Sequence, residues 1–244
     1  MKKLFITLFA LLPGLVFAAG PSIPLDKANF DLTDKVSLQN GAKLFMNYCF
    51  GCHATGYQRY ERVANDLDIP NEIMMANMVF TDQKIGDLMH NAINKEDAAK
   101  WFGAAPPDLT LVARLRGPDW LYTYLRSFYQ DPSRPFGVNN TVFPDVGMPH
   151  VLEELQGVPK AVYAVEIVDG EEHKTLDYIE TDGTGELSAD EYDQAVLDMV
   201  NFMVYSGEPM RVERERLGVF VLGFIFIFFI ISYLLKKEFW RDVH

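Results

Sequence analysis

One short stretch, Cys49-Phe50-Gly51-Cys52-His53, holds the residues of this chain best suited to chemistry. A C-x-x-C-H run has the spacing of c-type haem attachment. Two thiols in one tight turn can add to the two vinyl groups of a single haem, and the adjacent imidazole is then held under the iron as an axial ligand. The same thiols would also suit a zinc site, a redox dithiol or a structural disulfide. Zinc needs two further Cys or His ligands at short spacing, but Cys49 and Cys52 are the only cysteines and no second ligand pair appears. A thioredoxin-like dithiol accompanies a βαβ pattern, which the sequence lacks.

A haem that only shuttles electrons keeps both axial positions filled, and a methionine opposite the histidine raises its potential. Met148 is the preferred partner, because Gly147 and Pro149 hold it on a defined loop. Met46, Met74, Met75, Met78, Met89, Met199 and Met203 fall in expected helices, where methionine usually packs. His150, two residues beyond Met148, is the rival ligand. His90, His173 and His244 are read as ordinary surface or core residues.

The elements that must position these groups follow from periodicity. Residues 37–48 read as an amphipathic helix, with Leu38, Ala42, Phe45 and Met46 on one face, delivering the pentad at its end. A helix leading straight into such a pentad resembles class I cytochromes c. Residues 54–65 are polar, and 71–78 and 82–91 read as short helices. Pro106-Pro107 interrupts residues 101–109, and 119–129 form a periodic helix with Trp120, Leu121, Tyr124, Leu125 and Phe128. Residues 130–150 are loop. Residues 161–168 and 174–180 flank Asp169-Gly170 as a hairpin, and 190–205 form the last soluble helix. The fold class is therefore mainly α: a cytochrome c-like haem domain with a small β hairpin insertion and one C-terminal transmembrane helix.

Both ends are membrane-related. Residues 1–18 have Lys2 and Lys3, an apolar stretch and small residues, the pattern of a cleaved secretory signal peptide. Residues 19–210 form the exported haem domain, 211–238 the anchor and 239–244 a cytoplasmic tail. The nineteen residues 217–235 carry no charge, enough to cross a hydrocarbon core of about 30 Å. Three basic residues flank each side, so the positive-inside rule does not orient the helix; the signal peptide does. The formal charge of −12 excludes a nucleic-acid role and favours a basic partner. Eleven Asp or Glu and one Lys lie between Glu166 and Asp193. They are read equally as a docking face or as a solvated acidic loop.

The pentad, the downstream Tyr57-Gln58-Arg59-Tyr60, Pro106-Pro107-Asp108-Leu109 followed by Arg114-Leu115-Arg116, the Phe143-Pro144 to Gly147-Met148-Pro149 loop and the single anchor come in an order that resembles cytochrome c1. That family supplies the haem subunit of the cytochrome bc1 complex, ubiquinol:cytochrome c oxidoreductase. The resemblance implies one covalent haem c per chain, thioether bonds at Cys49 and Cys52, and His53 and Met148 as axial ligands. It implies Arg116 beside a haem propionate, with Arg114 as the alternative, and Pro107 at the haem edge. Trp120 stands where the family places a tyrosine, which removes a hydroxyl from that point.

The expected function is electron transfer within the complex, not catalysis by this chain alone. The donor would be the Rieske iron–sulfur protein, the acceptor a cytochrome c, and the anchor's neighbour cytochrome b. The site is the bacterial inner membrane, single-pass, with the haem domain in the periplasm. The alternatives are a tethered c-type cytochrome of another respiratory complex and a haem enzyme or sensor with an open axial position. Residues 180–191 imitate a calcium-binding EF-hand loop, but Glu180 and Thr184 at the first and fifth positions favour a turn, with Ser188 and Glu191 as a helix capping box.

Overall fold

A computed structural model describes residues 24–168 and 171–242. The expected signal peptide, the Asp169-Gly170 turn and the last two residues lie outside the described residues. Helix α1, Lys35–Leu44, starts where the Asp34 carboxylate accepts from the Ser37 amide, satisfying one of the free N–H groups of the first turn. It widens into a π-helical turn, Phe45–Cys49, so the expected helix keeps its course but changes its winding at the pentad. Wider turns of this kind recur at functional sites.

A later helix crosses α1 at backbone distance. This helix, Ala189–Gly207, opens on the anticipated capping box: Ser188 and Glu191 each satisfy the other's backbone N–H. At the crossing, a Cβ on Gly41 would run into the Asp198 carbonyl oxygen. Glycine is therefore required there by close approach. Beside it a buried polar cluster ties the two helices. The Asp198 carboxylate accepts from Ser37 Oγ at 2.6 Å, Asn40 Nδ2 at 2.6 Å and Gln194 Nε2 at 2.8 Å, and Asn201 Nδ2 donates to Ser37 Oγ at 2.6 Å. A buried carboxylate is tolerated when donors surround it in this way. Phe45, Val196, Met199, Val200 and Phe202 are fully buried around the cluster.

Between the two helices the chain makes α2 (Tyr60–Asp66), α3 (Asn71–Asn77), α4 (Lys95–Phe102), α5 (Val112–Arg116), α6 (Pro118–Arg126) and α7 (Glu153–Gln156), which makes the crossing helix α8. Three antiparallel pairs accompany them among the described residues: β1 (Thr55–Arg59) with β2 (Leu88–Met89), β3 (Phe128–Gln130) with β4 (Val138–Asn140), and β5 (Pro159–Val168) with β6 (Glu171–Thr181). The last is the expected hairpin, with Tyr163 opposite Leu176. The protein is mainly helical, as its sequence pattern implied, and the described residues hold two strand pairs beyond the expected hairpin.

Two helix expectations are corrected, and a stretch read only as polar gains structure. Residues 82–91 are not a helix: Asp87 accepts from the Lys84 amide through its side chain, a turn bond that competes with helix, and β2 follows. The polar stretch after the pentad becomes β1 and α2, since the Tyr60 and Glu61 amides donate to Asp87 and Ile85 carbonyls. The helix expected over 119–129 ends at Arg126, because Phe128–Gln130 pairs with Val138–Asn140.

The C-terminal helix α9, Arg211–Phe239, has 29 residues, mean hydropathy 2.7 in its most apolar window and none of that window buried. At about 1.5 Å per residue it is roughly 43 Å long, long and apolar enough to cross a membrane. The 180–191 loop is a turn: Asp182 Oδ1 accepts from the Val158 amide and from both Thr184 donors. Among the described residues no cluster of three Asp, Glu, His or Cys is placed to hold a metal ion.

Candidate haem site

One cavity of about 400 Å³ gathers the residues singled out by chemistry. Cys49, Cys52, His53, Pro107, Arg116 and Met148 all line it. The rest of the lining is almost wholly apolar, with Phe102, Trp120, Tyr124, Leu125, Phe143 and Val151 prominent. An apolar slot with one cation fits a flat macrocycle that carries two carboxylates at one edge.

The proximal side is built by backbone. The Cys52 and His53 amides donate to the Cys49 carbonyl at 3.1 and 2.8 Å, folding the pentad into a single turn that aims both thiols and the imidazole inward. His53 Nδ1–H donates to the Pro107 carbonyl at 2.8 Å, which leaves Nε2 bare and fixes the ring, the arrangement metal-ligating histidines use. Burial holds the His53 imidazole below its ordinary pKa, so the neutral ligand form is favoured. Pro107 is itself held because Asp108 accepts from the Gly56 amide at 2.7 Å and from the Thr110 amide and hydroxyl, while the Leu109 amide donates to the Ala54 carbonyl. Burial pushes the Cys49 thiol up to about 12. Both cysteines are free, with no disulfide between them.

The distal side is built by side chains. Met148 packs against a small cluster of Phe128, Val138 and Val146. The loop that carries it hangs on two asparagines. Asn140 Oδ1 accepts from the Val142 and Phe143 amides at 3.1 and 3.2 Å, and its Nδ2 donates to the Tyr124 carbonyl at 2.8 Å. Asn139 Oδ1 accepts from the Asp145 amide at 2.8 Å. Asp145 adopts φ +62°, a left-handed conformation that Asp tolerates better than most residues. Arg134 clamps it through both carboxylate and carbonyl. Sequence reading missed Asn139 and Asn140; two adjacent asparagines in a Pro- and Gly-rich loop were the available signal.

The structure separates the two pairs of rivals. Arg116 lines the cavity and lies over the Trp120 and Phe143 rings at 5.1 and 5.8 Å. Arg114 instead pairs with Glu208 at 2.9 Å, next to α9. His150 does not line the cavity; it is buried and stacked on Phe128 at 4.9 Å, and burial depresses its pKa to about 4. Tyr124, read from sequence only as one residue of an apolar helix face, places its hydroxyl 3.3 Å from Met148 Sδ.

Comparisons with known proteins give the family of the chain. The family model described as the Cytochrome C1 family matches residues 26–243. Cytochrome c1 of Allochromatium vinosum is 52% identical over 245 residues, covering all of both chains. The ammonia monooxygenase gamma subunit of Nitrosomonas europaea is 44% identical, covering all of this chain and 99% of that one. Cytochrome c1 of Rhodospirillum rubrum is 28% identical over 89% of this chain and 85% of its own.

Proposed function

Because the chain belongs to the cytochrome C1 family, the haem-bearing electron-transfer subunit of the cytochrome bc1 complex, we propose that Cys49 and Cys52 bind its haem covalently and that His53 and Met148 are the axial ligands. The observation that carries this is the convergence of all four side chains on one apolar cavity. When bound, the haem supplies a one-electron Fe(III)/Fe(II) couple.

The chain's own residues do the rest. Each thiol S–H would add across one vinyl C=C, an addition that balances without an oxidant. His53 is oriented by its bond to Pro107, and Met148 would hold the iron from across the cavity and so exclude oxygen and peroxide. Arg116 offers a planar guanidinium to a propionate, a charge-assisted pairing suited to a partly buried carboxylate. The apolar lining excludes water and keeps reorganisation small when the charge changes.

The protein is membrane-anchored, and the finer assignment is that α9 packs against cytochrome b with the haem domain in the periplasm of a bacterial inner membrane. The electron comes from the Rieske iron–sulfur protein and leaves to a cytochrome c. The acidic stretch 166–193 favours a basic acceptor, because charge of this kind accelerates association. The relative in Nitrosomonas europaea motivates a second reading of the partner, in which the same haem domain serves another membrane oxidoreductase. Affinity purification of the full chain from its own membranes separates the two: recovery of cytochrome b and a Rieske protein supports the first, and recovery of monooxygenase subunits without them supports the second.

Covalent attachment is tested by acid–acetone extraction and peptide mass. Haem that stays with the protein and rides on the peptide containing residues 49–53, and is lost from the Cys49→Ser/Cys52→Ser double variant, is the expected result. Haem that extracts freely from the unaltered chain overturns it.

A further inference from the structure

We infer that Tyr124 is a positioning residue that tunes the haem potential, its hydroxyl donating a hydrogen bond to the Met148 sulfur. This rests on Met148 being an axial ligand. Tyr124 Oη lies 3.3 Å from Met148 Sδ, and among the described residues the hydroxyl makes no other hydrogen bond. A thioether has two lone pairs. One would bind iron, leaving the other for the phenol.

The tyrosine is held in place from several directions. Its ring stacks on Trp120 at 4.8 Å and 11° and meets Phe128 edge-on at 5.2 Å. Its carbonyl accepts from Asn140 Nδ2, the residue that pins the methionine loop. Helix α6 therefore fixes the donor, and the same asparagine fixes the acceptor's loop against it. A preorganised donor of this kind acts without rearrangement when the charge changes.

The sign follows from the chemistry. A proton donated to Sδ withdraws electron density from the sulfur and weakens its donation to iron. The ferric state needs that donation more, so the bond favours the ferrous state and raises the potential. Removing one neutral hydrogen bond is expected to shift the Fe(III)/Fe(II) equilibrium against a fixed mediator couple by about two- to tenfold toward ferric. A tenfold shift is about 59 mV for a one-electron couple.

The test is a spectroelectrochemical titration of the full-length, haem-loaded protein as wild type, Tyr124→Phe, Met148→Leu and the double variant. Phenylalanine keeps the ring and its stacking and removes only the oxygen. The expected result is that Tyr124→Phe retains the weak red absorption of a sulfur–iron bond while its potential falls, and that Tyr124→Phe has no further effect once Met148 is leucine. An unchanged potential in Tyr124→Phe with the sulfur band intact overturns the inference and leaves the ligand assignment standing. An equal fall in the Met148→Leu background also overturns it, because the effect then does not pass through the sulfur. If Met148→Leu itself leaves band and potential unchanged, the ligand assignment falls and the Tyr124 inference with it.

Discussion

The proximal wall of the cavity grows out of the main core, whereas the distal wall hangs on two asparagine side chains and a small cluster of its own. On the proximal side, the pentad continues a helix whose glycine meets Asp198 at backbone distance, and the Pro107 carbonyl is tied to it by the His53 ring, beside the Leu109–Ala54 main-chain bond. On the distal side, Met148 belongs to a cluster of Phe128, Val138 and Val146, and its loop is held by Asn139, Asn140 and Arg134. The difference separates two tasks. Under the proposed ligation the proximal wall must exist before a haem can be attached, and the distal wall only has to set the sixth ligand. Damage to the first should cost the fold, and damage to the second should cost the ligand while leaving the fold in place.

The sharpest way to break that distinction is Gly41→Val. The added carbons meet the Asp198 carbonyl and Phe202, and overpacking of this severity is expected to cost about 3 kcal/mol or more, a large part of an ordinary domain's stability. Urea unfolding of the holoprotein followed by circular dichroism should show a clearly lowered midpoint; an unchanged midpoint would mean the crossing is looser than described. Asn140→Ala comes next. It strips the Val142 and Phe143 amides of their partner and removes one of the donors to the Tyr124 carbonyl, a local loss of about 2–3 kcal/mol. The sulfur–iron band should vanish at lower urea than the helical signal, and simultaneous loss of both would join the two walls into one unit.

Arg116→Gln has a smaller effect on the same scale. A cation near the haem favours the less positive ferrous state, so its removal should lower the potential by the equivalent of about 1 kcal/mol. Arg114→Gln should not, since that side chain is paired with Glu208. Equal shifts in both variants would contradict the separation of the two arginines. The smallest effect is expected from Asp169→Asn/Glu171→Gln/Glu172→Gln. Electron transfer to a basic cytochrome should slow severalfold at low salt and not at high salt; an unchanged salt dependence would make the stretch a solvated loop.

What the sequence revealed was what is local in it. The pentad, the Gly147-Met148-Pro149 loop, the Pro106-Pro107 break, the Ser188–Glu191 capping box and the charge-free run at 217–235 each carry their signal within a few residues. The asparagine clamps did not show, because Asn140 acts through bonds to the backbone of residues as far away as Tyr124. The same holds for β1 with β2 and β3 with β4, short pairs decided by tertiary context rather than by propensity. Helical spacing placed Tyr124 on an apolar face, and spacing carries no information about a sulfur twenty-four residues later. Arg114 and Arg116 are two apart and so point to different sides of α5; only the fold shows which side is the cavity.

The most direct test of the account is the optical spectrum and midpoint potential of the purified full-length protein, compared among wild type, Met148→Leu and His150→Ala. The account predicts a low-spin c-type haem with a weak red sulfur–iron band in wild type and His150→Ala, and loss of that band with a fall in potential in Met148→Leu. A wild-type haem that is high-spin or binds carbon monoxide, or a band that survives in Met148→Leu, would contradict it.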